Sequence, residues 1–160
     1  MATQSFQRIL ELLDQHGVEY IVVGGVAAVL QGAPITTFDI DTLVKVDASN
    51  SERLLKALQA LDARYREQEQ ALQPTLEDLA RGGHLLLMTN CGPLDVLGFI
   101  GQGKRYEDVA GSTATLQVGN LPVRVLRLEA LIEDKKALGR AKDQAVVALL
   151  ISVLERGRKS

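Results

Sequence analysis

The chain has 160 residues, 46% apolar and 24% charged, with a formal net charge of −2. That length and balance suit one folded domain with a real core and exclude a disordered or fibrous chain, and so small a charge does not advertise a nucleic-acid binder. One cysteine, Cys91, excludes an internal disulfide and reads as an inert core residue, while His16 and His84 are too few and too scattered for a zinc site.

The opening MATQSFQRILELL lacks the basic end and long apolar run of a signal peptide. Phe6, Ile9, Leu10, Leu12 and Leu13 recur at helical spacing, and Gly17 ends the pattern as a C-cap would. Residues 19–23 form a short apolar strand closed by Gly24 and Gly25, and the small residues of 26–31 suit a helix packed closely on a sheet. Residues 38–46 are rich in β-branched and apolar side chains and predict a strand. The run 47–50 caps a helix over 51–61 that buries Leu54, Leu55, Leu58 and Leu61.

Residues 66–73 are polar and glutamine-rich and read as a loop, with Pro74-Thr75 opening a short helix through Leu79. Strands are predicted over 84–89 and 94–100 around a turn at 90–93, and over 113–118 and 121–125 around Gly119-Asn120, which favours positive φ. Two helices, 128–138 and 141–156, finish the chain. The run AVVALLISVL (145–154) is about half a membrane span and reads as a buried or dimer-facing helix, so a cytoplasmic location is expected. The order predicts an α/β (α+β) domain, a mixed sheet flanked by helices, with a core over 19–125 and C-terminal helices over 127–157.

The sequence singles out three carboxylates. Alternate strand residues share a face, so Asp39 and Asp41 project together from an otherwise apolar segment. Two carboxylates about 4 Å apart repel by roughly 4 kcal/mol at an effective dielectric near 20. Either the pair is solvated at a sheet edge or a divalent cation bridges it, and oxygen ligands without histidine or thiolate indicate Mg²⁺ or Mn²⁺. Asp95, in the apolar GPLDVLGFI, offers a third ligand, with a strand-end or cap role as its alternative. Such a set suits a two-metal phosphoryl or nucleotidyl transfer site. Gly24-Gly25 would let a phosphate approach backbone N–H groups at a helix start. Residues 1–123 carry 9 basic and 15 acidic side chains, residues 124–160 carry 9 and 5; an acidic metal site facing a basic phosphate-binding flank and solvated helix faces of opposite sign both explain that division.

The GG pair, the short helix and TTFDID together resemble the nucleotidyltransferase superfamily that shares the DNA polymerase β palm, and within it the small bacterial AbiEii toxin-like and minimal nucleotidyltransferase group. GPLDVLGFIGQGKRYEDV resembles that group's third-carboxylate strand, and VRVLRLEALIEDKKALGRAKD its C-terminal signature. The resemblance implies metal ligation by Asp39, Asp41 and Asp95, nucleotide binding by Gly24, Gly25, Thr37, Lys135, Arg140 and Asp143, an NTP substrate and two Mg²⁺ or Mn²⁺ ions. For Lys135, Arg140 and Asp143 an exposed helix face with local ion pairing is the alternative. The group often has Arg where this chain has Ile35, which leaves open a catalytically inactive binding module. A toxin–antitoxin context with an antitoxin partner, a tRNA or protein acceptor, a homodimer and an antibiotic-modifying enzyme with a small-molecule acceptor are further expectations. Without the C-terminal extension of larger AbiEii-like toxins, an acceptor-binding domain would come from a partner or a second copy.

Overall fold

The strand β1 (Tyr20–Val23) is buried at every position, as its uninterrupted apolar run requires of a strand covered on both faces. The computed structural model describes residues 2–159. The other elements, in chain order, are α1 (Ala2–Gln15), α2 (Gly24–Leu30), β2 (Ile40–Val44), α3 (Ala48–Ala60), β3 (Arg64–Tyr65), α4 (Leu76–Ala80), β4 (His84–Thr89), β5 (Gly92–Leu97), α5 (Tyr106–Val109), a 3-10 turn (Ala110–Ser112), β6 (Thr113–Val118), β7 (Leu121–Leu126), α6 (Leu128–Leu138) and α7 (Ala141–Lys159). Among the described residues the strands form one mixed sheet of order β3-β4-β5-β2-β1-β7-β6. β1 is antiparallel to β2 and parallel to β7, and β2 is parallel to β5. Helices flank this sheet, so the architecture is the expected α/β one.

The boundaries differ from expectation where side chains intervene. The strand expected over 38–46 begins only at Ile40, because Thr37 folds back and donates its hydroxyl to the Asp39 carbonyl at 3.2 Å. Phe38 is left 77% exposed in the preceding loop. The first hairpin turn is also tighter than expected. Thr89 pairs with Gly92, and the Thr89 hydroxyl donates to the Gly92 carbonyl at 2.7 Å while accepting from the Cys91 N–H at 3.0 Å. Cys91 is therefore a half-buried turn residue. In the second hairpin Gly119 has φ +65 and Asn120 is not left-handed, the pattern of a II′ turn. α3 starts three residues before the expected Ser51, with Asp47 as N-cap accepting from the Asn50 N–H.

Two helical groups position the site. α1 packs on α3 and α3 on α4, while α2 packs on α6 and α6 on α7. Gly139 at φ +65 ends α6 and separates it from α7. In α7, Val147, Leu150 and Val153 are buried, so its apolar run is consumed along one face by packing within the chain. Among the described residues no helix is long and apolar enough to cross a membrane.

Gln31, at the end of α2, fixes α2 against α6. Its amide donates to the Ala27 and Leu126 carbonyls at 2.9 and 2.8 Å and accepts from the Leu128 N–H at 3.2 Å. Truncation would leave two backbone groups at the β7–α6 junction without this partner. Gln31→Ala is expected to lower stability by about 1–3 kcal/mol in urea unfolding; an unchanged midpoint would show that the junction does not depend on this tie.

Candidate active site

Strand register assembles the carboxylates. Asp41 of β2 lies opposite Asp95 of β5, Asp95 lies opposite Leu86 of β4, and Val23 lies opposite Asp41 on the other side. Directly paired residues in neighbouring strands share a face, so Asp41 and Asp95 stand side by side on one surface of the sheet. Asp39, one residue before β2, joins them from the loop.

Arg66, which follows β3, completes the row. Its backbone N–H donates to the Leu86 carbonyl at 3.0 Å, and its Nη1 donates to the Leu87 carbonyl at 2.9 Å. Nη2 then reaches Asp95 Oδ1 at 2.9 Å and Asp39 Oδ2 at 3.7 Å. The polarity of 66–73 correctly suggests a loop but hides this arginine, because no local signal pairs it with a carboxylate 29 residues away. The two-residue strand β3, also unanticipated, aims Arg66 across β4.

Among the described residues no three His, Cys, Asp or Glu side chains converge as they would around a bound metal. Asp95 and Asp39 instead face the guanidinium, and Asp41 shares a hydrogen bond with Asp95. Burial first, then that hydrogen bond and the charges of Asp95 and Asp39, push the Asp41 carboxyl up to about 7, with the positive charge of Lys135 opposing them. The donor set still suits a hard divalent cation. All its atoms are carboxylate oxygens, and its negative charge is otherwise balanced by a retained proton and by Arg66.

The glycines are the first turn of α2, not a linker before it. Gly24 has φ +66, and a Cβ there would fall 2.2 Å from Asp41 Oδ2. Backbone and carboxylate thus approach as only glycine permits. A Cβ on Gly25 would lie 2.8 Å from the Thr37 hydroxyl, so Thr37 closes over this turn. Gly24 and Gly25 floor a cleft of about 100 Å³ walled by Ile35, Leu131 and Lys135. Ile35 is apolar and partly buried against the core, and the cation on this cleft is Lys135. Behind Thr37, a second cleft of about 290 Å³ is lined by Leu10, Val26, Leu30, Ile35 and Val118 among others.

Lys135 Nζ also lies 3.5 Å from Asp143 Oδ1. Arg140 makes two bonds to the same carboxylate, which is 2% exposed. The Arg140 bonds, with Lys135 assisting, hold the Asp143 carboxyl below its usual range. Asp143 therefore anchors two cations at the α6–α7 junction. Lys135 extends from it to the glycine cleft, whereas Arg140 remains paired at the start of α7.

No family model and no curated protein sequence matches the chain, but solved structures do. The lincosamide antibiotic adenylyltransferase LnuA, crystallised with lincomycin bound, superposes with a TM-score of 0.65 at 15% identity, over 94% of this chain and 96% of that one. The antibiotic-resistance factor ANT(2'')-Ia gives 0.63 at 17% identity, over 95% and 83%. The fold is that of the nucleotidyltransferases. An antigenic nucleotidyltransferase-like protein from Paracoccidioides brasiliensis shares it at 0.58 and 18% identity, over 96% and 75%. This nucleotidyltransferase fold has the polymerase β palm-like arrangement of a mixed sheet flanked by helices, and the row of Asp41, Asp95 and Arg66 lies on that sheet.

The raised Asp41 carboxyl makes a signed prediction. The folded chain holds this proton more tightly than the unfolded one, so its contribution to stability falls as pH rises from the ordinary 3.8 to about 7. In chelator, Asp41→Asn is expected to gain roughly 1–3 kcal/mol on the wild type between pH 4.5 and pH 8. Parallel thermal unfolding of the two proteins checks this, and a gap that does not widen with pH would contradict it.

Proposed function

We propose that the chain is a divalent-cation-dependent nucleotidyltransferase that moves a nucleoside monophosphate from an NTP to a hydroxyl acceptor. The observation that carries this reading is the register of Asp41 against Asp95, with Asp39 beside them and the Gly24–Lys135 cleft adjoining. Asp39, Asp41 and Asp95 would hold Mg²⁺ or Mn²⁺, which when bound supplies charge neutralisation at the phosphates and acidity at the acceptor hydroxyl.

The chain's own groups take the remaining roles. Gly24 and Gly25 admit phosphate oxygens close to the backbone, with Thr37 above them. Lys135, anchored by Asp143, presents its ammonium to the triphosphate charge, and Arg140 keeps Asp143 ionised for that purpose. Asp95 receives the acceptor proton. The acceptor oxygen forms its bond to the α-phosphorus as the bond to the bridging oxygen breaks, and pyrophosphate leaves.

Two acceptor classes follow. LnuA was crystallised with lincomycin and ANT(2'')-Ia with adenylyl-2''-tobramycin, and the apolar cleft behind Thr37 suits a small molecule with a low-polarity body. The resemblance to AbiEii-like proteins suggests instead a tRNA or protein acceptor and an antitoxin partner. The second functional reading is a binding module without turnover. Arg66 on Asp95 and Asp39, and Ile35 in place of a cation, favour it.

Calorimetric titration of each NTP with and without Mg²⁺ separates enzyme from module. The enzyme reading expects binding that requires Mg²⁺ and is lost in Asp39→Asn/Asp41→Asn. Nucleotide binding indifferent to Mg²⁺ and to these substitutions would sink it in favour of the module.

A further inference from the structure

Arg66 is held at its backbone, and its guanidinium is shared between one carbonyl and two carboxylates. The backbone N–H bond to Leu86 fixes the residue beside β4, and in the guanidinium Nη1 donates to the Leu87 carbonyl while Nη2 faces the carboxylates. The Arg66 side chain, 21% exposed, sits on Asp95, whose side chain is 14% exposed, and on Asp39. A guanidinium does not deprotonate at any physiological pH, so it leaves a carboxylate only by moving. The residues that follow leave room for that. Residues 67–70 are exposed, and an open cleft of about 350 Å³ beside Arg66 is lined by Gln68, Ala71, Thr89 and Asn90.

A divalent cation held by Asp95 and Asp39 would compete with this guanidinium for the same two carboxylates, because adjacent positive charges repel. We propose that Arg66 is a displaceable counter-ion: it neutralises Asp95 and Asp39 before a divalent cation enters, lowers the affinity of the site for that cation, and gives up its Nη1 bond to Leu87 to swing toward the Gln68–Asn90 cleft when the cation binds. This inference rests on the reading of Asp39, Asp41 and Asp95 as a cation-binding set. It makes Arg66 a positioning residue that tunes cation demand from a segment outside the carboxylate strands.

The test is Mn²⁺ binding to the full chain, followed by the paramagnetic resonance signal of free Mn²⁺, in the wild type, Arg66→Gln and Arg66→Lys. Losing one charge-assisted contact to a carboxylate should tighten Mn²⁺ binding in Arg66→Gln about tenfold, with Arg66→Lys in between. Equal or weaker binding by Arg66→Gln overturns the inference while leaving the cation site standing. Absence of Mn²⁺ binding in every protein overturns the cation-site reading and the inference with it. Should Arg66→Gln fail to fold, the wild-type guanidinium nitrogen resonances of Arg66 decide the matter. They should shift and lose their restricted rotation on Mg²⁺ addition, and resonances that stay fixed while Mg²⁺ binds would overturn the proposal.

Discussion

Repulsion among carboxylates on one sheet face is the constraint on which the rest of this site depends. Asp41 and Asp95 are brought together by strand register; a one-residue slip of β2 would turn Asp41 to the opposite face and set a neighbour, Ile40 or Thr42, beside Asp95 instead. The fold therefore fixes the two acids side by side, and charge must be supplied to match them. Within the chain it comes from three sources: the Asp41 carboxyl, which holds its proton up to about pH 7, the guanidinium of Arg66, and the field of Lys135.

Those sources lie in separate parts of the chain, and the topology delivers them to one place. β5 enters the sheet parallel to β2 and carries Asp95, β4 and β3 extend it outward and carry Arg66, and α6 packs on α2 and carries Lys135. Gly24 makes the junction possible by bringing backbone to the Asp41 carboxylate without a side chain between them. Gln31 then fixes α2 to the start of α6. Removing any one contribution leaves the acids less balanced, which links stability, protonation and ligand binding in a single cluster.

Much of this was legible in the sequence because it rests on local pattern. The apolar strands around Asp41 and Asp95, the glycine pair after β1 and both hairpins are each encoded within a few residues, and the structure contains them. The mixed α/β sheet followed from the order of elements, and its nucleotidyltransferase form from the resemblance that those motifs carry. What escaped depends on pairing across distance or on a single side-chain bond. Arg66 resembles any charged residue in a glutamine-rich loop until β3 adds to the sheet edge and points it over β4. The start of β2 moved to Ile40 because one hydroxyl, that of Thr37, closes a turn that propensity does not register. Arg140 and Asp143 carried two readings from the outset. Their mutual bonds show the local pairing, while the link from Asp143 to Lys135 ties the same pair to the glycine cleft.

The Asp41 carboxyl itself offers the most direct test of charge matching as the organising principle. Carbon-detected NMR titration of its side-chain carboxyl, in chelator and then in excess Mg²⁺, reads the balance at its centre. The account predicts a midpoint near the value of about 7 set by burial and by Asp95 and Asp39, falling below about 5 once a divalent cation replaces the proton. A midpoint near 4 in both conditions would contradict it, because the carboxylates would then be independent, solvated groups that need neither Arg66 nor a metal.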